Sequence, residues 1–295
     1  MSALAEPRGP KPKRISLARL GIHAFLIVVA AFFLVPLWVM LVTSFKTMNE
    51  IRLGNMLAWP ADFTVEAWYK AWSSACTGLA CNGIQVGFWN SVRILVPSVI
   101  ASIAVGAITG YAMTFYRVRG ANALFGLLLL GAFIPYQVFL YPLVRLFSSV
   151  GLYDSLAGIV VVHVAFGLPL MTLLFRNYYS SLPIELFNAA RVDGAGFAQI
   201  FRHVFLPMSA PIIIVATILQ VTGIWNDFIL GLTFAGRQNR PMTVLLNNIV
   251  NSTQGEAAYN VDMAATILTA LVPLTVYLVS GRWFVRGIAA GAVKG

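Results

Sequence analysis

Six long stretches of apolar residues recur along the chain, and none of them contains Asp, Glu, Lys or Arg. A helix needs about 20 apolar residues to cross about 30 Å of hydrocarbon, so stretches of this length predict membrane-spanning helices. The fifth stretch begins inside the preceding loop, and the sixth contains Pro273 and could extend past Arg282. The predicted spans are residues 20–43, 94–116, 121–144, 155–175, 203–226 and 263–281.

The composition supports an all-α polytopic membrane protein. Hydrophobic residues make up 59% of the 295 residues and charged residues 10%, whereas a soluble domain carries about 25% charged residues. This balance excludes an ordinary soluble globule and a disordered chain. A transmembrane β-barrel would alternate polar and apolar positions in segments of about ten residues, but these apolar stretches are continuous.

The basic residues indicate how the six spans are oriented. If the spans alternate, one side of the membrane receives 13 Lys and Arg residues and the other side receives 6. Because cytoplasmic loops collect positive charge, both termini are predicted to be cytoplasmic. The net charge of +10 then belongs to the inner membrane face, so no nucleic-acid partner is expected. The predicted parts are a basic cytoplasmic tail (1–19), a six-helix membrane domain (20–287) with an outer loop (46–93) and a cytoplasmic loop (176–207), and a C-terminal tail (288–295).

The outer loop contains both cysteines of the chain and a short predicted helix. Thr64 is placed to cap this helix, and Trp68 and Trp72 would share one face that anchors it at the bilayer interface. If the loop lies in an oxidising bacterial periplasm, Cys76 and Cys81 could form a small disulfide that closes it. Two free thiols are the alternative.

Signatures of catalysis and of metal binding are missing from the sequence. No phosphate-binding loop is present, since no glycine is followed by lysine, and no zinc-protease or nucleophile-elbow motif occurs. The three histidines are scattered, and His163 is interpreted as a neutral imidazole packed inside the fourth span. The chain is therefore expected to bind no metal or nucleotide and to be no enzyme. An ion-coupled carrier usually has acidic residues or broken helices near the middle of the membrane. The charged residues of the spans, Arg93 and Asp227, lie near span ends instead, which disfavours such a carrier.

The cytoplasmic loop between the fourth and fifth spans has the pattern of a helical hairpin. Pro183 and Glu185 are typical of a helix start, Gly194 permits a sharp break, and Pro207 begins the fifth span. Its compact apolar surface indicates a docking element for another protein, and an interfacial helix lying on lipid is the alternative. The first helix carries the apolar stripe Leu186, Ala189 and Ala190, and the second carries Phe197, Ile200, Phe201 and Val204.

This loop resembles the EAA motif of ABC-importer permeases. In that family the helix pair sits in a cleft of the ATP-binding subunit and transmits its closure to the membrane helices, so the resemblance implies that the loop couples to an ATPase. The motif's glutamate position is Asn188 here, which leaves no salt bridge from that position, and Glu185 could partly replace it. The matching residues are Ala189, Ala190, Asp193, Gly194 and Ala195, then Leu206 and Pro207, then Pro211.

Other segments resemble carbohydrate-uptake permeases. Residues 134–137 and 225–228 look like motifs of that group, and residues 284–295 are similar to the tail of the maltose-type second permease subunit. Residues 247–253 and 259–263, together with the outer-loop cysteines, resemble bacterial glucose/mannose importer permeases. The resemblance implies the type I importer permease fold, in a bacterial inner membrane.

A permease of this family works inside a complex, so the resemblance also implies partners. They are a second permease subunit, two cytoplasmic ATP-binding subunits and a periplasmic sugar-binding protein, in addition to the lipid bilayer. ATP and Mg would be bound by the partner ATPase, and no cofactor by this chain. The rival hypotheses are an ion-coupled sugar carrier that acts alone and a non-transporting membrane scaffold.

Five residues are candidates for sugar contacts in the translocation path. A sugar binds planar amide or carboxylate groups and an aromatic face. Hydrogen bonding between neighbouring spans is the alternative role for each amide. The candidates are Gln137, Gln220, Trp225, Asn226 and Asp227.

Overall fold

The computed structural model describes residues 17–78, 80–251 and 257–292, and these residues form helices and connecting loops without any strand. A 3₁₀ turn covers Tyr136–Phe139 and a π-helical turn covers Phe201–Phe205. The α-helices are α1 Leu17–Ser44, α2 Met48–Arg52, α3 Glu66–Ser73, α4 Gln85–Phe115, α5 Ala121–Phe133, α6 Leu140–Ser149, α7 Leu156–Ser180, α8 Ile184–Val192, α9 Phe197–Ile200, α10 Leu206–Met208, α11 Ala210–Trp225, α12 Ile229–Phe234, α13 Met242–Val250 and α14 Tyr259–Ala292.

Four of the predicted spans are continuous helices that are long and apolar enough to cross a membrane. They lie in α1, α4, α7 and α14. The second span begins at Gln85, well before the predicted start, because the helix continues through the exposed Arg93. The last helix continues through Pro273 and past Arg282 to Ala292, so residues 288–292 are helical.

The other two predicted spans are each a pair of helices joined at a sharp bend, and the predicted count of six is reached when each pair is taken as one span. The third turns by 100° between Phe133 and Tyr136. Ile134 is extended there because the ring of Pro135 disfavours a helical residue before it. The fifth turns by 78° at Ser209, so the long helix begins at Ala210 and not at Pro207.

Helices α4 and α7 lie close together because glycines line their contact. A Cβ at Gly106 would overlap Met171, and a Cβ at Gly110 would lie 2.8 Å from the Cβ of Phe175. Small residues allow this close approach, which is how membrane helices gain packing energy without a hydrophobic driving force. Helix α7 leads directly into the predicted hairpin loop, and α4 packs beside α7.

The tryptophans of α3 pack on the protein, which contradicts the predicted anchor at the bilayer interface. Trp68 stacks on Phe45 with ring centroids 5.3 Å apart, and Trp72 lies 5.6 Å from the ring of Phe88. The indole nitrogen of Trp68 is buried. Both rings therefore fasten α3 to the ends of α1 and α4.

The loop after α3 is closed by a Cys76–Cys81 disulfide. Between the two cysteines, the carbonyl oxygen of Thr77 accepts a hydrogen bond of 3.1 Å from the Asn248 side chain. The closed loop is thereby joined to α13.

Candidate functional site

The predicted helical hairpin is present between α7 and α11. Its first helix is α8, and its second is α9 with the π-helical turn that follows. Gly194 makes the break with a φ of 81°, which an L side chain rarely adopts, and its N–H donates to Arg191 O at 3.1 Å. The Gln199 side chain accepts from the Gly196 N–H at 2.9 Å and fixes the start of the second helix.

Most residues of the resembled motif lie on one exposed surface of this hairpin. Ala190 and Ala195 are half-buried. The fully exposed members are Glu185, Asn188, Ala189, Asp193 and Gly194. The hairpin therefore presents these small and polar groups outward beside exposed apolar side chains such as Val192, and we call this set of seven residues the exposed face.

The inward face of α8 differs from the predicted apolar stripe. Leu186 and Ala189 are exposed, and Phe187 is the buried residue, with 4% of its surface accessible. The ring of Phe187 stacks on Phe115 of α4 at a centroid distance of 4.9 Å. The sequence does contain a signal for this buried face. Phe187 and Ala190 are three residues apart, and positions i and i+3 share a helix face.

Aromatic rings join the hairpin to the ends of α4 and α7. Tyr111 lies 4.9 Å from the ring of Phe197, and Phe115 lies 4.4 Å from the ring of Phe205. Such ring pairs add about 0.5–1.5 kcal/mol each beyond their burial. We call this group the aromatic cluster; its members are Tyr111, Phe115, Tyr116, Tyr179, Phe187, Phe197, Phe201 and Phe205.

Three hydroxyl groups hold the bend between the hairpin and α11. The Tyr178 hydroxyl donates to Met208 O at 2.6 Å. The Ser209 hydroxyl donates to Phe205 O at 2.6 Å, and the Tyr179 hydroxyl, 2.9 Å from it, donates to Ser209 in turn. The Phe205 carbonyl is open to this bond because the Ser209 N–H bonds to Leu206 O instead. We call Tyr178, Tyr179 and Ser209 the hydroxyl clasp.

A cavity of about 390 Å³ lies between α7, α11 and the 3₁₀ turn of the bent third span. Three of the five candidate sugar contacts line it, namely Gln220, Asn226 and Asp227. Tyr136 and His163 complete its polar wall, and sequence reasoning assigned neither of them to a site. We call this space the polar cavity.

Asp227 also has a structural role in the loop after α11. Its two carboxylate oxygens accept from the N–H groups of Leu230 at 3.3 Å and Gly231 at 2.8 Å, so it caps the short helix α12. The Thr243 hydroxyl donates to its backbone carbonyl at 2.6 Å. His163 Nε2 lies 3.9 Å from Asp227 Oδ2.

The structure does not bring the other two sugar candidates into the polar cavity. Trp225 is 2% exposed, and its indole N–H donates to Thr269 O of α14 at 2.9 Å. Trp225 is therefore a packing residue between helices, which corrects its assignment as a sugar contact. Gln137 is exposed in the 3₁₀ turn and does not line the cavity.

Comparisons with known proteins agree with this arrangement. The sequence profile of the family described as the inner membrane component of binding-protein-dependent transport systems matches residues 98–290. A probable ABC transporter permease protein of Pyrococcus horikoshii is 35% identical over 96% of this chain and 100% of its own length. A glucose import system permease protein of Saccharolobus solfataricus is 31% identical over 92% of this chain and 94% of its own length.

The fold also has a counterpart among solved structures. A chain in the crystal structure of a bacterial ABC transporter involved in the import of the acidic polysaccharide alginate aligns with a TM-score of 0.77 and 20% identity. The alignment covers 94% of this chain and 100% of that chain. The type I importer permease fold expected from the sequence is thereby confirmed. This chain belongs to the family of inner membrane components of binding-protein-dependent transport systems, the permease subunits of ABC transporters, which transport solutes and are not themselves enzymes.

Proposed function

We propose that this chain is a permease subunit of an ATP-driven sugar importer and forms half of its translocation path. The observation that carries the proposal is the exposed face, a set of small and polar groups beside exposed apolar side chains that the aromatic cluster joins to the membrane helices. A surface of this kind suits a partner that pushes on the hairpin. The chain itself has no phosphate-binding loop, so the nucleotide cycle must belong to another subunit.

The proposed partners follow from this division of labour. Two cytoplasmic ATP-binding subunits would carry ATP and Mg, and one of them would receive the exposed face. A second permease subunit would complete the pore, since a sugar path needs polar walls shielded from lipid. A periplasmic sugar-binding protein would deliver the sugar on the outer side of a bacterial inner membrane, with both termini of this chain in the cytoplasm.

Movement of the hairpin would reach the membrane helices by two routes. The aromatic cluster connects the hairpin to α4 and α7, and the hydroxyl clasp connects the end of α7 to the bend that precedes α11. ATP binding would favour the outward-open state and the products of hydrolysis the inward-open state, because the ATPase has different affinities for the two hairpin positions.

The proposed sugar is glucose or mannose. The relative from Saccharolobus solfataricus is named for glucose import, and the two cysteines with residues 247–253 and 259–263 resemble importers of these sugars. The polar residues Gln220, Asn226 and Asp227 would form this chain's wall of the sugar path.

The decisive experiment is co-purification and uptake with Gly194→Pro. Proline cannot adopt a positive φ, so this change should abolish both ATPase binding and ATP-driven glucose uptake. Gly54→Pro is the matched control: Gly54 also has a positive φ of 84°, open surroundings and an N–H that donates three residues back, but it lies in the outer loop. Unchanged uptake with Gly194→Pro would overturn the proposal.

An ion-coupled carrier is the second candidate. The two bent spans remove the sequence argument against it, because broken helices are common in such carriers. Family membership and the exposed hairpin favour the ATP-driven mechanism. Glucose uptake by this chain alone in liposomes without ATP would support the carrier instead.

A further inference from the structure

The polar cavity opens beside polar side chains that are unfavourable in contact with lipid. Asn226 is exposed where α11 ends, and Asp227 lies beside it in the cavity wall. Polar and ionisable groups inside a membrane almost always face a bundle interior or a water-filled path. The cavity therefore faces the inside of the transporter, where a solute passes.

One wall of the cavity contains a hydrogen-bond donor without a partner. The Gln220 side chain is 7% exposed, and its Nε2 is buried without a hydrogen bond among the described residues. Leaving such a donor unpaired costs free energy, so a ligand that accepts from it gains correspondingly. The amide lies against Gly167 of α7, where a Cβ would overlap it.

The imidazole of His163 and the carboxylate of Asp227 lie side by side in the cavity wall. His163 Nε2 and Asp227 Oδ2 lie 3.9 Å apart, too far for a direct hydrogen bond. An oxygen about 2.8 Å from each could accept from the imidazole and donate to the carboxylate. The capping bonds of Asp227 hold that carboxylate in place while leaving it further lone pairs.

The bend in the third span contributes the remaining wall. It places Tyr136 at the cavity, with its ring 5.9 Å from that of Phe166. Non-helical backbone at membrane depth is tolerated where it lines a cavity, which accounts for the break at this position. The wall thus combines ring faces with hydroxyl, amide, imidazole and carboxylate groups.

We infer that the polar cavity is a sugar-binding subsite carried by this chain, in which Gln220 donates to one sugar oxygen and His163 with Asp227 holds another hydroxyl group. The inference rests on the proposed function for its ligand class. A volume of about 390 Å³ lies at the small end of ligand pockets, which suits one or two sugar rings.

The test measures glucose binding at the cavity in the assembled, purified transporter. The described cysteines are joined in the disulfide, so Leu219→Cys, at an exposed apolar position of the cavity lining, introduces a thiol that a maleimide can label. Glucose should protect this thiol from labelling. Adding Gln220→Leu or His163→Leu should raise the half-protecting glucose concentration about threefold to tenfold, since each removes one hydrogen bond.

Two further variants distinguish loss of the subsite from loss of folding. Gln85→Leu makes the same change outside the cavity, where the amide bonds only to Asn82 O, and should leave protection unchanged. Gly167→Ala keeps every polar group and a helical residue but displaces the Gln220 amide, so it should also weaken protection.

The outcomes separate the subsite from the proposed function. ATP-driven glucose uptake without protection by glucose, or protection that Gln220→Leu, His163→Leu and Gly167→Ala leave unchanged, would overturn the subsite alone. Protection that these variants weaken, in a transporter that takes up no sugar with ATP, would support the subsite and reject the proposed function.

Discussion

The two ends of this protein hold their loops in different ways. At the hairpin end, the aromatic cluster makes most of the connections, and the hydroxyl clasp adds bonds to two carbonyl groups at the bend. At the opposite end, aromatic rings also hold α3, but a disulfide closes one loop and amide side chains bind the backbone of others. Asn90, for example, donates to Gln238 O at 2.9 Å and to Arg240 O at 3.1 Å.

This difference suits the separate tasks proposed for the two ends. A side-chain amide bonded to specific carbonyls loses its bonds when either partner moves, so the outer loops have one fixed arrangement. Aromatic contacts are less directional and can slide or tilt together as a unit. In the proposed mechanism, the hairpin end would shift with an ATPase while staying attached, and the opposite end would keep its shape.

Truncating Phe205 should weaken the hairpin end most strongly. The ring is fully buried in the aromatic cluster, and Phe205→Ala is expected to lower the free energy of unfolding by about 3–5 kcal/mol. Thermal unfolding in detergent and co-purification with the ATPase measure the effect. Phe133→Ala removes a ring that is 86% exposed and should stay within about 0.5 kcal/mol. Equal losses in both variants would contradict the cluster's role.

Removing the Asn90 amide should loosen the outer end specifically. Asn90→Ala leaves the two carbonyls without their donor and should cost about 1–3 kcal/mol. Trypsin should then cut faster after the exposed Arg237, while ATPase binding stays intact. Asn82→Ala, an exposed position, serves as the control. Unchanged trypsin sensitivity would show that the amide does not fix this loop.

Opening the outer disulfide should have a moderate effect. Replacing both cysteines with serine removes a short closed loop, which in the chain-entropy model is worth about 2 kcal/mol. Thermal unfolding of the double variant measures this loss. In oxidised membranes, mass analysis after alkylation should find labelled Cys76 and Cys81 only after reduction, and two labelled thiols beforehand would reject the bond.

Weakening the hydroxyl clasp should change coupling more than stability. Tyr179→Phe removes one hydrogen bond, worth about 1 kcal/mol, and keeps the ring in the aromatic cluster. ATP hydrolysis should persist, while the sugar transported per ATP falls. Ser209→Ala should lower the ratio further, because it also removes the bond from the Ser209 hydroxyl to Phe205 O. Tyr69→Phe at an exposed position should leave the ratio unchanged, and a purely structural clasp would lower both rates together.

Sequence reasoning succeeded where the signal was local. The break at Gly194 was predictable because few residues other than glycine adopt its positive φ, and the apolar stretches marked the membrane helices. It failed for Trp68, Trp72 and Trp225, whose rings pack on other helices, because an aromatic residue looks alike in sequence whether it meets lipid or protein.

The amino-acid pattern alone predicted a helical membrane protein with a helical hairpin between two spans. It also indicated the family, because the hairpin resembles the EAA motif. Only the packed structure decided which face of α8 turns inward, where the third and fifth spans bend, and that His163 and Tyr136 join Gln220, Asn226 and Asp227 around one cavity. The physical reason is the solvent. Lipid is as apolar as a protein interior, so hydropathy marks what enters the membrane but carries little information about which side chains meet there.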